Sequence, residues 1–458
     1  MDGAIRADYL VVGAGATAMA FVDALIDHAA VKVVMVDRRY AAGGHWLDAY
    51  PFVRLHQASA FYGVASTMLG GGRVQVRGPE KGLHERATAA EVSAYYERVL
   101  ERMTISGKVE FYPGCDYIGD HRFVSLLSGT HYEVTASCRV VDASYLSPDI
   151  PARTAAPFGV ADDARVIPVN DLARVTDAPS QFVIVGSGKT ATDACVWLLG
   201  NGVDPGSICW VRPRDPWMLN RAVVQPDPAV FLGMVADTLT AAAHAASPDD
   251  LFLRLEAAGV MLRIDESVTP TMAKTPTIAQ WEIDLLRRIE NVVRLGHVRL
   301  VERGRIALTD GDIRVARDAL VVHCAASGLK YPPVVPVWSR EAITVQPVRS
   351  GFPCFGAAII GYVEATRDDD AEKNRVCPAS CLPDTTASFA RMQMLGNRAA
   401  QAFTAEPDIR EWANQTTLNP GRIPPERVGD PVVAAALERY RNHAVAGFGR
   451  LVEFAALP

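Results

Sequence analysis

Two short glycine turns are the parts of this sequence whose residue types and spacing best suit chemistry. The first, Gly13-Ala14-Gly15-Ala16-Thr17-Ala18, follows the spacing GxGxxA. Gly13 permits a tight turn, Gly15 lets a pyrophosphate approach the backbone, and the small Ala18 lets a helix pack closely on a strand. Asp37, at the end of the next predicted strand, is an acceptor for ribose hydroxyls; it suits FAD or NAD and would repel a 2′-phosphate. The pattern recurs as Gly186-Ser187-Gly188-Lys189-Thr190-Ala191, but there the next strand ends in Val211-Arg212-Pro213-Arg214. Guanidinium groups at that position suit a 2′-phosphate and predict NADPH over NADH; read more plainly, Arg212 and Arg214 are surface charges. Lys189 and Thr190 open the second helix, and Lys189 either helps hold the pyrophosphate or faces solvent. A phosphate-cradling P-loop needs a glycine where Val183 stands inside a strand, which speaks against an ATPase or kinase.

The elements that must position these turns read as a repeated unit. Residues 8–12 form a short apolar run, a helical pattern follows, and 31–36 is a second buried strand, so 8–37 reads as βαβ. Residues 181–212 repeat it. Between the two lie a helix near 89–103 and a hydrophobic meander through 109–112, 123–127, 132–136 and 139–143. Ser147-Pro148-Asp149-Ile150-Pro151 marks a crossover between domains. Residues 215–295 are rich in Ala and Leu, interrupted by prolines, and read as a helical insertion. After a strand at 317–324, Gly328 and Pro332-Pro333 mark a second crossover, and the chain returns to the first domain through 352–361 and a helix near 386–403. The predicted fold is α/β, with two Rossmann-type dinucleotide-binding domains, a helical insertion and a helical C-terminal tail. The boundaries are 1–155 plus 330–405 for the first domain, 156–329 for the second, and 406–458 for a C-terminal extension.

Composition narrows the partners. With 458 residues, 49% hydrophobic, and a formal charge of -6, the chain reads as globular rather than disordered, with no pull toward nucleic acid or anionic membrane. No apolar run approaches the length of a membrane span, and the apolar stretch after Arg6 reads as a buried strand, which predicts a cytoplasmic protein. The eight cysteines are scattered; Cys377 and Cys381 are close, but Pro378 lies between them and no His/Cys cluster accompanies them, so no metal is expected. A small-molecule substrate is expected, and a homo-oligomer is compatible with the sequence.

Further residues resemble the class B flavin-dependent monooxygenases, which include FMO-type, N-hydroxylating and Baeyer–Villiger enzymes. Besides GxGxxA and Asp37 these are Gly43-Gly44-His45-Trp46 and Tyr50-Pro51-Phe52-Val53-Arg54, which look like the family's GGxW and YPGxR elements. Asp142-Ala143-Ser144 and Ala325-Ala326-Ser327-Gly328 stand where the family usually has Ala-Thr-Gly at its crossovers. The sequence departs from the family in lacking its FxGxxxH element: Phe158-Gly159-Val160-Ala161-Asp162-Asp163-Ala164-Arg165 contains no histidine. Dithiol reductases of similar build need a cysteine pair against the flavin, and residues 38–114 contain none.

The resemblance implies FAD in the first domain and NADPH in the second, with hydride passing to the flavin and a C4a-(hydro)peroxide transferring one oxygen atom to a small organic substrate. The alternatives are a flavin-dependent dehydrogenase, reductase or oxidase on the same scaffold, or a non-catalytic FAD-binding sensor. Since the cofactor carries the chemistry, the candidate tuning residues lie on the loop at 43–62. Trp46 would cover the flavin face, Arg54 stabilise a peroxide anion, and Asp48 orient Arg54 or the ring; His56 and Gln57 are donors to flavin or nicotinamide. Each also has a structural reading: Trp46 as core, Asp48 with Arg54 as an ion pair, His56 as a satisfied half-buried histidine.

Overall fold

Each glycine turn follows the central strand of a five-stranded parallel sheet in the computed structural model of the protein, which describes residues 4–326, 328 and 330–456. The first sheet runs Ile343–Thr344, Arg139–Asp142, Tyr9–Val12, Val33–Asp37 and Val109–Pro113; the second runs Arg165–Pro168, Leu320–His323, Phe182–Val185, Ile208–Val211 and Val292–Val293. The inner strands are buried on both faces, which is why Val33–Asp37 and Phe182–Val185 read as unbroken apolar runs rather than alternating ones.

Helices cover these sheets. Ala16–His28 buries most of its length, and Pro353–Thr366 packs against it so closely that a Cβ on Gly361 would lie 2.2 Å from the Phe21 carbonyl oxygen. The chain after the second crossover therefore returns onto the first sheet. Helix Ala89–Ile105 starts at a reciprocal capping box between Thr88 and Glu91 and turns Val92, Tyr95, Tyr96, Val99 and Met103 inward at helical spacing.

Two predicted segments differ from expectation. The meander divides: Val109–Pro113 and Arg139–Asp142 join the parallel sheet, while Cys115–Gly119, Arg122–Ser125 and His131–Glu133 form a separate antiparallel sheet. Asp120 and His121, both at positive φ, make the tight hairpin that sets those strands apart. The region at 215–295 is not wholly helical: Met218–Asn220 pairs with Met261–Leu262 and Thr277–Ile278, and Val292–Val293 forms the edge of the second sheet. Two of its prolines act as starts rather than breaks. Pro228 and Pro248 occupy the first turns of helices capped by Asp227 and Ser247.

The C-terminal helix Pro431–Ala455 lies along Pro228–His244, with Gly447 against the Leu239 backbone, and Leu451 and Phe454 share a core with Trp217, Phe252 and Phe389. The two crossovers meet: Asp149 and Gly328 exchange backbone hydrogen bonds of 3.1 Å each way. Ser327 of the second crossover motif lies outside the described residues. Seven cysteines are buried and Cys381 half-buried, all as free thiols. Among the described residues no helix is long and apolar enough to cross a membrane.

Candidate functional site

The two turns are built alike. Gly13 N–H donates to Val36 O at 2.8 Å, and Gly186 N–H donates to Val211 O at 3.0 Å. Both glycines sit at positive φ, +105° and +136°, and a Cβ on Gly186 would lie 3.2 Å from the Cys324 carbonyl. Gly15 and Gly188 precede their helices with extended backbone and no side-chain cap, so the first-turn N–H groups keep their capacity for a ligand. Ala18 and Ala191 are fully buried where helix meets strand.

At the first turn Gly43 N–H donates to Ala14 O at 2.8 Å, and a Cβ on Gly44 (φ +60°) would stand 2.9 Å from Gly15 Cα. The two glycine segments thus touch backbone to backbone. Asp37 accepts from Ala14 N–H at 2.7 Å and Arg39 N–H at 2.8 Å, one on each oxygen. An ionised carboxylate has lone pairs beyond those two, so it stays an acceptor for a ribose while being fixed in place.

Arg212 occupies the place of Asp37, one residue past the last strand pair in each unit. Only 1% exposed, it pairs with Asp215 at 2.9 Å and lies 4.7 Å over the Trp210 ring, while its Nε and Nη1 have no partner. The surface-charge reading of Arg212 is thereby corrected: strand burial carries the side chain inside, with two of its nitrogens unpartnered. Arg214 is more open, donating to Thr271 O at 3.1 Å beside Asp384 at 3.4 Å. A hollow of about 230 Å³ beside Gly186 is lined by Phe158, Val185, Val211, Pro213, Val298 and Ala325.

Lys189 also departs from expectation. It does not face solvent: its ammonium is buried and paired with Asp193 one helical turn on, and with Glu282 at 3.4 Å. Two carboxylates already neutralise it, so its charge is not available to a pyrophosphate. Thr190 is half-buried, its hydroxyl within hydrogen-bonding reach of the Tyr50 phenol.

On the loop at 43–62, Trp46 is buried, donates its indole N–H to Tyr62 Oη at 2.6 Å, and belongs to the core of the first unit. The expected pair of Asp48 with Arg54 does not form. Asp48 binds Arg39 at 2.7 Å and Arg153 at 2.8 Å; burial opposes its ionisation, but these two guanidinium groups outweigh that and hold it below the usual carboxylate range. Arg54 is exposed and donates to Arg86 O at 3.2 Å. The cause lies between them: Tyr50 donates to Asp193 at 2.7 Å and Phe52 stacks on Trp197 at 4.9 Å, drawing the loop onto the second unit and parting Asp48 from Arg54. His56 and Gln57 are partly buried in this seam. Burial, aided by the Lys189 ammonium, lowers the His56 imidazole to about 3, so it is neutral near pH 7.

Beside His56 runs a chain of buried charges that sequence reasoning missed. Arg86 pairs with Glu80; Arg221, fully buried, bridges Glu80 at 2.8 Å and Glu282 at 2.7 Å and donates to His56 O at 2.9 Å; Glu282 continues to Lys189, Asp193 and Tyr50. Three cations and three anions alternate across the boundary between the units. Only Lys189 with Asp193, four residues apart on one helix, is legible as a local pair.

No family model matches the chain. It is 42% identical over 421 residues, 91% of its length, to the uncharacterized protein Rv2000 of Mycobacterium tuberculosis, of which the match spans 78%. The same figures hold for the uncharacterized protein Mb2023 of Mycobacterium bovis. Among solved structures, the polycyclic ketone monooxygenase of Thermothelomyces thermophila superposes with a TM-score of 0.51 at 13% identity, covering 98% of this chain and 90% of that one. A cyclohexanone monooxygenase bound to ε-caprolactone gives 0.50 at 15%, covering 88% and 98%. The fold is that of the class B flavin-dependent monooxygenases.

Proposed function

We propose that this chain, which belongs to the same family as the uncharacterized protein Rv2000 of Mycobacterium tuberculosis, is an FAD-dependent, NADPH-using oxidoreductase that transfers one oxygen atom from O2 to a small organic substrate. One observation carries the reading: two Rossmann units of identical layout hold opposite charges at the same position, Asp37 in one and Arg212 in the other. An anionic acceptor suits ribose hydroxyls, and a buried guanidinium with two unpartnered nitrogens suits a 2′-phosphate. Bound in the first unit, FAD would accept hydride from NADPH and bring O2 into reaction.

The chain's own residues bind, orient and exclude water. Gly13 makes the tight turn against Ala143, Gly44 lets its loop close on Gly15, Gly15 lets the pyrophosphate approach the backbone, Asp37 holds the ribose, and Trp46, locked by Tyr62, walls the flavin side. His56, neutral at working pH, offers a donor and an acceptor where a cation would be repelled by Lys189 and Arg221, and Gln57 adds an amide. Asp48 braces the loop through Arg39 and Arg153, and Arg54 contributes from its rim. Arg214 flanks Arg212 at the nucleotide's outer end. The enzyme works in the cytoplasm, without nucleic acid or membrane.

The purified protein is expected to be yellow with one FAD per chain, to be bleached anaerobically by NADPH faster than by NADH, and to place label from molecular oxygen in its product. Anaerobic turnover with a dye equal to aerobic turnover would establish a dehydrogenase instead, and a colourless protein that binds no added FAD would end the proposal.

A further inference from the structure

The backbone carbonyl of His56 is held from outside its own unit. Arg221 Nε donates to it at 2.9 Å, and the Thr277 hydroxyl donates to the same oxygen. Both donors come from the second unit: Thr277–Ile278 pairs with Met218–Asn220, the strand that ends just before Arg221. Arg221 and Thr277 are buried, so water does not compete for these bonds. A carbonyl oxygen has two lone pairs, and here both are taken. One residue earlier the loop is held by the first unit instead, with Leu55 N–H donating to Ala87 O at 2.9 Å and Arg86 Nη1 to Leu55 O at 3.0 Å.

The outside grip has a foundation. Arg221 is fixed by Glu80 and by Glu282. Glu282 lies on helix Gln280–Leu286, five residues after Thr277, and reaches Lys189, the first residue of the helix behind the second glycine turn. Arg221, Thr277 and Glu282 form a strut between that helix and the loop of the first unit. The strut also fixes a donor. A trans peptide carries its N–H opposite its C=O, and the described chain has no cis peptide. With His56 C=O aimed at Arg221 and Thr277, the Gln57 N–H points away from them, and it has no hydrogen-bond partner among the described residues. Gln57 is partly buried, and a backbone N–H drawn from water ordinarily finds an acceptor.

We infer that Arg221 and Thr277 are positioning residues, which fix the His56–Gln57 peptide so that its N–H is presented to the flavin ring. The role of that N–H rests on the function proposed above; the pinning of the loop does not.

Thr277→Val keeps the shape of the side chain and removes the donor, whereas Thr277→Ser keeps the donor. Two measurements on the flavin-loaded protein read the difference. Deuterium uptake over residues 54–59 should be about tenfold faster in Thr277→Val and near wild type in Thr277→Ser, the change expected when a buried hydrogen bond is lost. The limiting rate of anaerobic bleaching by NADPH should fall about tenfold in Thr277→Val and recover in Thr277→Ser, with the half-saturating NADPH concentration within about twofold of wild type throughout. A merely structural role would lower the urea midpoint and leave that limiting rate alone. The inference is overturned if Thr277→Val and Thr277→Ser behave alike, if uptake over 54–59 is unchanged in Thr277→Val, or if the loop loosens and the limiting rate does not fall. Should Thr277→Val not fold, Thr277→Ala takes its place beside Thr277→Ser. A wild type without flavin defeats the proposed function and the role of the Gln57 N–H with it, while the uptake measurement still decides the pinning.

Discussion

Replacing Arg221 with Met should unsettle the seam between the two units more than any other single change there. The side chain is 0% exposed and meets Glu80 at 2.8 Å, Glu282 at 2.7 Å and the His56 carbonyl at 2.9 Å. Removing one member of a buried ion pair typically costs about 3–5 kcal/mol, because the remaining charge is left without compensation. Here each carboxylate keeps a second cation, Arg86 for Glu80 and Lys189 for Glu282, so the loss should fall near the lower end, about 3 kcal/mol. Urea unfolding at pH 7 reads this directly. Adding Glu282→Gln should return about 1 kcal/mol, since it removes one of the stranded charges. The acid limb supplies a second reading. Burial raises the Glu282 carboxyl, but Lys189, Arg221 and Arg86 outweigh it and take it to about 2, against 4.5 for the free group. A folded value below the unfolded one means stabilisation that is complete above about pH 4.5 and is lost as pH falls toward 2. His56, lowered to about 3 from 6.5, adds to the decline once pH drops below 6.5. Arg221→Met should flatten the Glu282 part of that limb. A cost under about 1 kcal/mol, or a double variant as costly as the two changes summed, would show that the chain is not electrostatically coupled.

Three further outcomes follow from the turns and their packing. Asp37→Ala removes the acceptor of the Ala14 and Arg39 N–H groups and should release FAD on gel filtration, at a cost of about 1.5–3 kcal/mol of cofactor affinity, while NADPH binding persists. Arg212→Ala should raise KM for NADPH about tenfold or more with little change for NADH, and the more exposed Arg214→Ala should do less; equal effects on both nucleotides would remove the 2′-phosphate assignment. Gly361→Ala would force a methyl to within 2.2 Å of Phe21 O and part the two helices of the first unit, so its midpoint of thermal unfolding should fall well below that of Gly188→Ala, whose Cβ meets nothing within 4 Å.

What was legible in the sequence was local. A glycine turn between a buried strand and a helix is set by residues a few positions apart, so Gly13, Gly186 and the charge reversal from Asp37 to Arg212 could be read directly. The return of the chain to the first unit through 352–361 was read from an apolar run after a proline-marked crossover, and helix Pro353–Thr366 packs there. The partners of charges were not legible. Asp48 takes Arg39 and Arg153, and Arg221 takes Glu80 and Glu282, across separations that no period encodes. Lys189 had its clue in Asp193, but a lysine after a glycine turn suggests phosphate more readily than an inward ion pair. Val109–Pro113 was misplaced because a half-exposed edge strand of a parallel sheet and a strand of a meander look alike over five residues.

The mutual hydrogen bonds of Asp149 and Gly328 give the second unit the standing of a guest. Its chain enters and leaves at one point, so the polypeptide of the first unit is already closed there by a contact of a single residue pair. A graft that exchanged everything between those two residues would leave the host's sheet and its glycine turn uncut. What such a graft would have to supply is the far side of the seam, with a ring for Phe52 to stack on, an acceptor for Tyr50 and a cation for Glu80, together with the apolar face that Trp217, Leu239 and Phe252 give to Phe389, Leu451 and Phe454 of the C-terminal helices. The host's strand order places few conditions on its guest; these side-chain contacts set them.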